Sequence, residues 1–483
     1  MSARSRELFG LLPVSLLVTA GFTAVLIARS DEIQTATATY GAIFLGCCLF
    51  GHLFIRARLP DADPYLFPLA ALLAAFGLVM IYRIDPEQAR EQAQWFIFGL
   101  LLFVATIVLL RDHRLLERYR YTIAAAGIVL LLLPRVPGIG GEVNGAFLAI
   151  SVGPIEFQPA EFAKLAIIIF LASYLNDTRE VLVRGRVKPP PLRRSLPLVV
   201  ACVGLAALLI GVVGLPAWPG GLIAAFAAVV VALARERPSL KHFGPLLLIW
   251  GLAMLMLVFI QDLGSSLMFF GGFLALLYVA TSRLSFVAFG VVLFLAGATF
   301  MAANVDHVRE RIEIRNDPFA RGVVEKEGYQ IAQSLFAQAD GGLFGEGFGD
   351  SLLFPPGGGP AILPAADTDL IYALIVNEVG LFGGAAVVLI ALLFVARGLK
   401  AAMMAHDDFS KLLATGLSAV FALQVFVIIG GVTKVIPLTG VTLPFVSYGG
   451  SSIMANFILL ALLLIVSDHA RRDARRGDMG GVV

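Results

Sequence analysis

The clearest structural signal in this chain is the segment "DLIYALIVNEVGLFGGAAVVLIALLFVA", residues 369–396. A membrane-spanning helix needs about 20 mostly apolar residues, and this run exceeds that length. Its acids are unexpected, because charged side chains are costly in hydrocarbon. Asp369 starts the run, Glu378 lies within it, and Asp367 precedes it by two positions. The segment therefore predicts a transmembrane helix in which the carboxylates have a structural or functional role.

The rest of the chain is equally apolar. Of 483 residues, 59% are hydrophobic and 14% are charged, whereas a soluble globular chain carries about 25% charged residues. This composition predicts an all-α polytopic membrane protein. The net charge of +2, without dense basic blocks, argues against a nucleic-acid partner. The three cysteines lie in apolar runs, and the six histidines show no zinc-motif spacing.

About fourteen apolar runs are long enough, or nearly so, to cross a membrane. They lie at 10–28, 38–55, 65–82, 91–110, 121–134, 160–175, 195–214, 220–234, 242–260, 263–280, 284–303, 369–396, 412–432 and 446–467. Arg4 and Arg6 precede the first run, and we expect an uncleaved helix there rather than a signal peptide. The prolines of "LPAWPGG" (215–221) predict a tight hairpin over 195–234.

The distribution of basic residues predicts the orientation of these spans. Cytoplasmic loops should carry the excess of Lys and Arg, and fourteen spans with a cytoplasmic N-terminus place most of the 36 basic residues inside. Both termini are then cytoplasmic, and the segments 135–159, 304–368 and 433–445 lie outside. Long loops are usually functional or disordered. We therefore expect the functional site where these three segments converge, with "YQIAQSLFAQ" (329–338) as a short surface helix.

Two interpretations of Asp369 stay open on local sequence. Asp367, Thr368 or Asp369 could cap the helix that begins there, because a side-chain oxygen at that position accepts hydrogen bonds from the first amides. Alternatively, a partly desolvated carboxylate at the water–lipid boundary could act as a general base.

Glu378 lies about 13 Å further along the helix, where a charge costs about 2.5–3.5 kcal/mol even on the lenient insertion scale. We expect it to face the bundle, protonated or paired with Lys164 of "QPAEFAKLA" or with Lys434. A structural ion pair and a direct catalytic role are both compatible with this position.

Two further features are unusual in composition. The glycine-rich pieces "GGLFGEGFGD" (341–350) and "PPGGGP" (355–360) predict a flexible outer loop, or else backbone amides that cradle a pyrophosphate. The string "VIPLTGVTLPFVSYGGSSIMANF" (435–457) combines helix breakers with small residues that suit close helix packing.

That string resembles the signature of the SEDS proteins (FtsW, RodA and SpoVE). Its form is P-x-T-G-x-x-L-P-F-x-S-Y-G-G-S-S, and Pro437 to Ser452 match it throughout. Other segments resemble the family's landmarks in the same order, over roughly residues 65–467. They are "NGA" (144–146), "QPAEFAK" (158–164), "QDLGSSL" (261–267), "RIEIRNDPF" (311–319), "GYQIAQSLFA" (328–337) and "TDLIYALIVNEVG" (368–380).

The resemblance implies a peptidoglycan glycosyltransferase that polymerises lipid II at the outer face of the bacterial cytoplasmic membrane, beside a class B penicillin-binding transpeptidase. The family's catalytic aspartate falls on Asp369, and Asp367 receives no catalytic role. The implied architecture is a ten-helix core with two extra N-terminal helices, as in actinobacterial RodA-like members, plus the inserted hairpin 195–234. We divide the chain into an extension (1–60), the membrane core (61–467) and a cytoplasmic tail (468–483).

Transfer to a sugar hydroxyl with loss of a lipid pyrophosphate requires a base and positive charge for the leaving group. The candidate substrate-binding residues are Arg309, Arg311, Arg315, Lys326, Lys434, Ser447, Tyr448, Ser451 and Ser452. The candidate structural or ion-pairing residues are Glu378, Lys164 and Asp262. A divalent cation, Mg²⁺ or Mn²⁺, could assist, and the sequence indicates no other cofactor.

The sequence departs from the family pattern at one landmark, and two other functions compete with glycosyl transfer. Phe147 and Leu148 follow "NGA", where relatives carry basic residues and a Trp, so a binding role for that loop is in doubt. A lipid II flippase would need charges along a midplane path and often shows an internal repeat, and no repeat is visible. A non-catalytic scaffold for a transpeptidase would leave Asp369 and the outer cations unexplained.

Overall fold

The structure is a computed structural model that describes residues 3–30, 36–110, 112–136, 140–143, 146–152, 155–184, 263–304, 306–326, 328–349, 351 and 361–480. Helices dominate this part of the chain. They are α1 (Ala3–Ser30), α2 (Ala36–Arg58), α3 (Leu66–Ile84), α4 (Pro86–Leu109), α5 (Leu115–Arg118), α6 (Arg120–Leu132), α7 (Pro159–Arg184), α8 (Leu263–Thr281), α9 (Leu284–Asn304), α10 (Asp306–Asn316), α11 (Tyr329–Gly341), α12 (Ile371–Met404), α13 (Asp408–Val432) and α14 (Gly450–Gly480).

Nine of the described helices are long and apolar enough to cross a membrane, and α6 and α9 contain shorter apolar helices. Eleven of the fourteen predicted runs coincide with described helices. The runs at 195–214, 220–234 and 242–260, and with them the predicted hairpin, lie outside the described residues. The prediction of an all-α polytopic membrane protein is confirmed. Helices form because every backbone polar group in a bilayer must be satisfied within its own segment.

Helix α14 lies at the centre of the bundle. Its most apolar window is 83% buried, against 33% for α1, α2 and α4, and it packs against α4, α7, α12 and α13. Aromatic rings extend this core toward the loop before α14. Phe445 meets Phe457 edge to face at 5.4 Å and also contacts Phe421 at 6.3 Å. The loop that carries Phe445 is therefore anchored in the helical core.

Helices α1 and α2 form a peripheral pair. They contact each other, α3 and α4, while Leu16 and Leu53 remain 71% and 61% exposed on the outer surface, as expected of side chains that face lipid. The charges within the pair are neutralised: Arg4 pairs with Glu7, and His52 Nδ1 lies 2.8 Å from the other Glu7 oxygen.

Arginine–aspartate pairs cross-link one end of the bundle. Asp63 accepts hydrogen bonds from Arg397 of α12 and Arg471 of α14, and Asp61 pairs with Arg472 and Arg475. We call this the basic end, formed by residues 59–65, 112–119, 397–411 and 468–475. These contacts hold the last turns of α14 against the loop before α3.

The described parts of the segments 135–159 and 304–368 reach the opposite end, where the first contacts the start of α14 and the second contacts the loop 433–445. The Gln158 amide donates to Ser451 Oγ at 2.8 Å, and Arg311 donates to the Leu438 carbonyl at 2.6 Å. We call this the loop end. It includes a small antiparallel sheet, β1 (Gly140–Val143), β2 (Ala146–Val152) and β3 (Ile155–Phe157), which the sequence did not predict because its strands are too short for a clear alternation. The predicted surface helix at 329–338 is confirmed as α11.

Helix α12 connects the two ends and is broken near the loop end. Gly380 adopts φ 72° and ψ −177°, a conformation that interrupts the helix and is open essentially to glycine alone. The glycine-rich segment inserts at this break: the Leu381 amide donates to Gly342 O at 2.9 Å, and the Glu346 amide donates to Asn377 O at 2.9 Å. Residues 342–347 of the predicted flexible loop are thus held by backbone hydrogen bonds to α12.

Candidate active site

The turn before α12 positions Asp369. The amides of Thr368 and Leu370 both donate to the Ala365 carbonyl, at 3.2 and 3.0 Å, and Ala365 holds the turn with φ +51°. The helix N-cap is Leu370, which supplies no side-chain capping bond. None of the three residues considered for capping occupies the N-cap position. The half-buried Asp369 side chain stands one residue earlier, at the edge of the turn.

The signature loop, residues 433–449, is hydrogen-bonded to this turn at the two residues that precede Asp369. Ser447 Oγ donates to Thr368 O at 2.7 Å, and the Tyr448 amide donates to Asp367 O at 2.8 Å. A β-carbon added to Gly440 would lie 3.7 Å from Asp369 Oδ2. The Asp369 carboxylate therefore faces the signature loop at Gly440, and its backbone neighbours are held by that same loop.

Helix α4 clamps the signature loop from the other side. The buried Gln92 amide group donates to Ser447 O at 3.2 Å and accepts from the Gly449 amide at 3.2 Å. The preceding residue, Glu91, accepts a 2.5 Å hydrogen bond from the Tyr448 hydroxyl. Neither Gln92 nor Glu91 was predicted, because their partners lie about 355 residues away in sequence. A polar pair at the start of an apolar run was the only available signal.

The signature serines are engaged inside the protein. Ser447, Ser451 and Ser452 are 3%, 4% and 3% exposed. Ser447 Oγ also accepts from the Leu443 amide at 2.9 Å, and Ser452 Oγ accepts from Thr442 Oγ1 at 2.8 Å. Their burial favours positioning of the loop, while a direct substrate contact stays a prediction. Tyr448 is half-buried and reaches the surface through its hydroxyl.

Lys164 belongs to a different network from the one expected. Its ammonium donates to Glu161 Oε2 at 2.5 Å and to Gln424 Oε1 at 2.7 Å, and Gln424 in turn donates to Thr442 O at 2.9 Å. The expected pair between Lys164 and Glu378 is therefore wrong. A carboxylate one helical turn earlier on α7 lies closer than any group on α12, so the 1% exposed lysine is neutralised locally.

Glu378 pairs with Arg83 at the end of α3, and not with Lys164 or Lys434. Arg83 Nε lies 3.0 Å from Glu378 Oε1, and that oxygen accepts from Ser351 Oγ at 2.6 Å. Arg83 also donates to the carbonyls of Gly349 and Ser351, at 2.6 and 2.9 Å. The pair thus holds the end of the glycine-rich segment rather than bracing the centre of the bundle.

The depth predicted for Glu378 needs the same correction. Arg397, which belongs to the basic end, follows Glu378 on α12 by 19 positions, or about 28 Å of helix. This separation is close to the roughly 30 Å thickness of the hydrocarbon core. Glu378 is the eighth residue of α12, so it lies about two turns from the loop end of that helix and not at the middle of the span.

The predicted cations fall into two groups. Arg311 and Arg315 of α10 donate to the backbone of the signature loop, at Leu438 O (2.6 Å) and Val435 O (2.8 Å). They bring positive charge to the loop that faces Asp369. Arg309 and Lys326 are exposed, on α10 and in the turn after it. Lys434 is half-buried at the start of the signature loop, with φ +64°.

Strained backbone concentrates here. Four non-glycine residues in the described chain have positive φ, and three of them, Ala365, Lys434 and Phe445, belong to the turn or to the signature loop. Such residues cost about 1–3 kcal/mol each and cluster at functional sites. The fold thus maintains an unfavourable backbone where the two segments meet.

Asp367 differs from Asp369 in its surroundings. Burial raises the pKa of the Asp367 carboxyl above its usual range, the two nearest backbone amides oppose this, and the negative charge of Asp85 raises it further. Asp85 itself caps α4 through a hydrogen bond from the Glu87 amide. The structure therefore gives Asp367 a carboxyl that takes up a proton more readily than a free aspartate does.

Parts of the predicted site lie outside the described residues. Asp262 is one, and Asn144 and Gly145 of the family landmark "NGA" also lie outside them. Among the described residues, no group of three His, Cys, Asp or Glu ligands surrounds Asp369. The predicted Mg²⁺ or Mn²⁺ stays a prediction.

The fold and the site define a polytopic membrane protein whose loops hold one carboxylate against a strained, cation-lined segment. The chain belongs to the FtsW/RodA/SpoVE family of cell cycle proteins, whose family model matches residues 64–213 and 220–472. The resemblance drawn from the signature is thereby confirmed.

Curated relatives are similar over most of their length. The peptidoglycan glycosyltransferase RodA of Mycobacterium tuberculosis (strain H37Rv) is 37% identical over 470 residues, covering 94% of this chain and 89% of that protein. RodA of Mycobacterium leprae is 37% identical over 484 residues, covering 98% and 92%. A probable peptidoglycan glycosyltransferase FtsW of Geobacter metallireducens is 30% identical, covering 87% and 99%. The mycobacterial matches agree with the predicted actinobacterial RodA-like type.

Among solved structures, one chain shares the fold with a TM-score of 0.56 at 24% identity, covering 85% of this chain and 98% of that one. It comes from a peptidoglycan synthase complex in which polymerization and crosslinking are coordinated.

Proposed function

We propose that this protein is a peptidoglycan glycosyltransferase that polymerises lipid II, with Asp369 as the general base. The observation that carries the proposal is the placement of the Asp369 carboxylate, which faces Gly440 while the two preceding residues are hydrogen-bonded to the signature loop. The family membership and the names of the curated relatives support the same activity.

The reaction joins two sugars. Asp369 removes the proton from the attacking sugar hydroxyl, whose oxygen bonds to the anomeric carbon of the other substrate. The bond from that carbon to the lipid pyrophosphate breaks, and the pyrophosphate leaves with the electron pair. A positioned base contributes about 10²–10⁴ to the rate of such a step. A single displacement of this kind inverts the anomeric centre.

The departing pyrophosphate needs positive charge. Lys434 starts the signature loop, and Arg311 and Arg315 lie against its backbone. Arg309 and Lys326 are exposed nearby in sequence on the same outer segment. We assign the pyrophosphate to this cationic side of Asp369, where a bound Mg²⁺ or Mn²⁺ would add further positive charge for the leaving group.

The proposal includes the cellular setting. The loop end faces outward, both termini are cytoplasmic, and a class B penicillin-binding transpeptidase binds beside the glycosyltransferase to cross-link its product. The solved chain of the same fold belongs to a synthase complex for both reactions, which supports such a partner.

The flippase alternative gains no support from the ion pairs. Glu378 and Lys164, which fit a path of charges only weakly, do not lie along one path. Instead, Glu378 pairs with Arg83 and Lys164 pairs with Glu161, in separate networks.

The test is Asp369→Asn in purified protein, with its transpeptidase partner and labelled lipid II. Asparagine keeps the shape and polarity of the side chain but cannot accept the proton, so we expect a loss of at least about 10²-fold in glycan synthesis. Asp367→Asn, two residues away, is the matched control and should keep activity within a few-fold. An Asp369→Asn protein that polymerises at the wild-type rate would overturn the assignment of the base.

A further inference from the structure

A second cluster of chemically active side chains lies at the basic end, far from Asp369. Asp112 and His113 follow α4, and His469 lies on α14. One ligand atom from each residue lies within 4.8 Å of the others. His113 Nδ1 and His469 Nδ1 are 3.0 Å apart, and Asp112 Oδ1 is 4.0 Å from His113 Nδ1.

The hydrogen bonds behind His113 fix the tautomer of its ring. Ser410 Oγ donates to Asp407 Oδ2 at 2.7 Å, so its single proton is committed. His113 Nε2 lies 2.5 Å from Ser410 Oγ and must therefore be the donor. Its Nδ1 is left as a lone pair that points toward His469 Nδ1. This His–Ser–Asp series is the outer-shell arrangement that orients metal-binding histidines and raises their basicity.

Packing also restrains the His113 ring. It stacks on Phe409, with an interplanar angle of 11°, which limits its rotation.

We propose that His113, His469 and Asp112 bind one divalent transition-metal ion of the zinc class. Two nitrogen ligands and one carboxylate suit Zn²⁺ or Co²⁺ and do not suit Mg²⁺ or Ca²⁺. In a tetrahedral zinc site, nitrogens bound at about 2.0–2.1 Å lie about 3.3 Å apart, close to the separation of the two Nδ1 atoms. Asp112 is exposed and His469 is half-buried, so an ion can enter from water and retain one water ligand.

The ion would join elements that are distant in sequence. It would bind the segment after α4 to the last turns of α14, and Ser410 would extend the connection to the start of α13. The competing interpretation is a plain hydrogen bond from His469 Nδ1–H to His113 Nδ1, with no ion. Metal binding separates the two interpretations directly.

The experiment uses full-length protein in detergent, purified through a tag without histidine and stripped of metal. Co²⁺ is titrated while its visible absorption is recorded, Zn²⁺ is then added to displace it, and bound metal is counted by mass spectrometry. We expect one ion per chain and a Zn²⁺-dependent rise in the midpoint of thermal unfolding.

Three variants test the assignment. His469→Gln should abolish the cobalt spectrum, and Asp112→Asn, at an exposed position that does not endanger folding, should weaken binding at least about 10-fold. Ser410→Ala should weaken it about 10–100-fold, as expected for an outer-shell partner. His406→Gln is the matched control, because His406 is exposed at the same end, and it should bind like the wild type. Two results would overturn the proposal. One is the absence of stoichiometric metal binding by the wild type, and the other is metal binding by His469→Gln and Asp112→Asn that is as tight as in the wild type.

Discussion

Asp367 and Asp369 show how two acids in one turn acquire different properties. Only the carboxylate of Asp369 faces Gly440, whereas Asp367 contributes its backbone carbonyl to the signature loop and keeps a half-buried side chain near Asp85. A sequence offers the same residue type at both positions. The difference arises from which atoms the signature loop contacts, and that is a property of the folded chain.

The raised pKa of Asp367 predicts a pH-dependent stability difference. Its native pKa exceeds its unfolded value, so the folded protein binds this proton more tightly, and stability falls as pH rises through the native pKa. Asp367→Asn does not titrate and keeps its backbone contacts. The variant should therefore unfold at a slightly higher temperature than the wild type at pH 7. The advantage should vanish below about pH 4, where both side chains are neutral. Thermal unfolding across this pH range measures it, and a variant less stable at pH 7 would contradict the argument.

Gln92 supplies a second prediction for a single residue. Gln92→Ala removes both hydrogen bonds to the signature loop, each with a net contribution of about 0.5–1.5 kcal/mol. We expect folded protein with clearly reduced glycan synthesis, because Ser447 and Gly449 lose their support.

Gln94→Ala is the matched control, since Gln94 is exposed on the same helix. Equal activity of the two variants in the lipid II assay would show that the two Gln92 hydrogen bonds have no part in function.

At the scale of elements, the ion pair of α3 and α12 governs the glycine-rich segment. Arg83→Met leaves the fully buried Glu378 carboxylate without its cation, and removal of one partner of a buried pair costs about 3–5 kcal/mol. Because Arg83 also binds the carbonyls at 349 and 351, hydrogen exchange of the amides in 342–349 should accelerate markedly.

The control for this prediction is Arg90→Met. Arg90 pairs with Glu87 at 3.9 Å in an exposed position, and such pairs contribute about 0–1 kcal/mol. The double variant Arg83→Met, Glu378→Gln should recover part of the stability, because the buried charge is gone. Unchanged exchange in Arg83→Met would show that the segment is held by its backbone contacts alone.

At the scale of the whole molecule, the orientation in the membrane is open to a direct test. Replacement of Asp340, exposed at the loop end, by cysteine should allow labelling by an impermeant reagent in intact cells. Cysteine at His406, exposed at the basic end, should be labelled only after lysis. Both are placed in a chain that lacks Cys47, Cys48 and Cys202. The reverse pattern would invert the predicted topology.

The sequence predicted the helices well and their polar contacts poorly. Lipid forces long apolar runs into helices, so the runs that became α1 to α4 and α12 to α14 were visible at once. The partner of Glu378 was not, since a list of basic residues cannot show that Arg83 lies beside the break in α12. His113 and His469 are separated by 356 residues, so no local spacing motif could predict that they lie together. Asp369 was identified through its ordered motif, and its orientation toward Gly440 needed the structure.

The break in α12 carries a consequence for how this protein can vary through evolution. The junction with the glycine-rich segment is formed by main-chain hydrogen bonds. Most of its positions can therefore carry different side chains, but Gly345 and Gly380 leave no room for any side chain. A β-carbon at Gly345 would lie 2.2 Å from the Glu378 carbonyl oxygen, and one at Gly380 would lie 2.3 Å from the Leu343 carbonyl oxygen. Both glycines also have backbone angles that L-residues avoid. In a saturation mutagenesis screen, both positions should reject every substitution. Neighbouring Leu343 and Phe344, which are 57% and 78% exposed, should accept many. Lineages of this protein should accordingly differ freely at positions 343 and 344 while keeping glycine at positions 345 and 380.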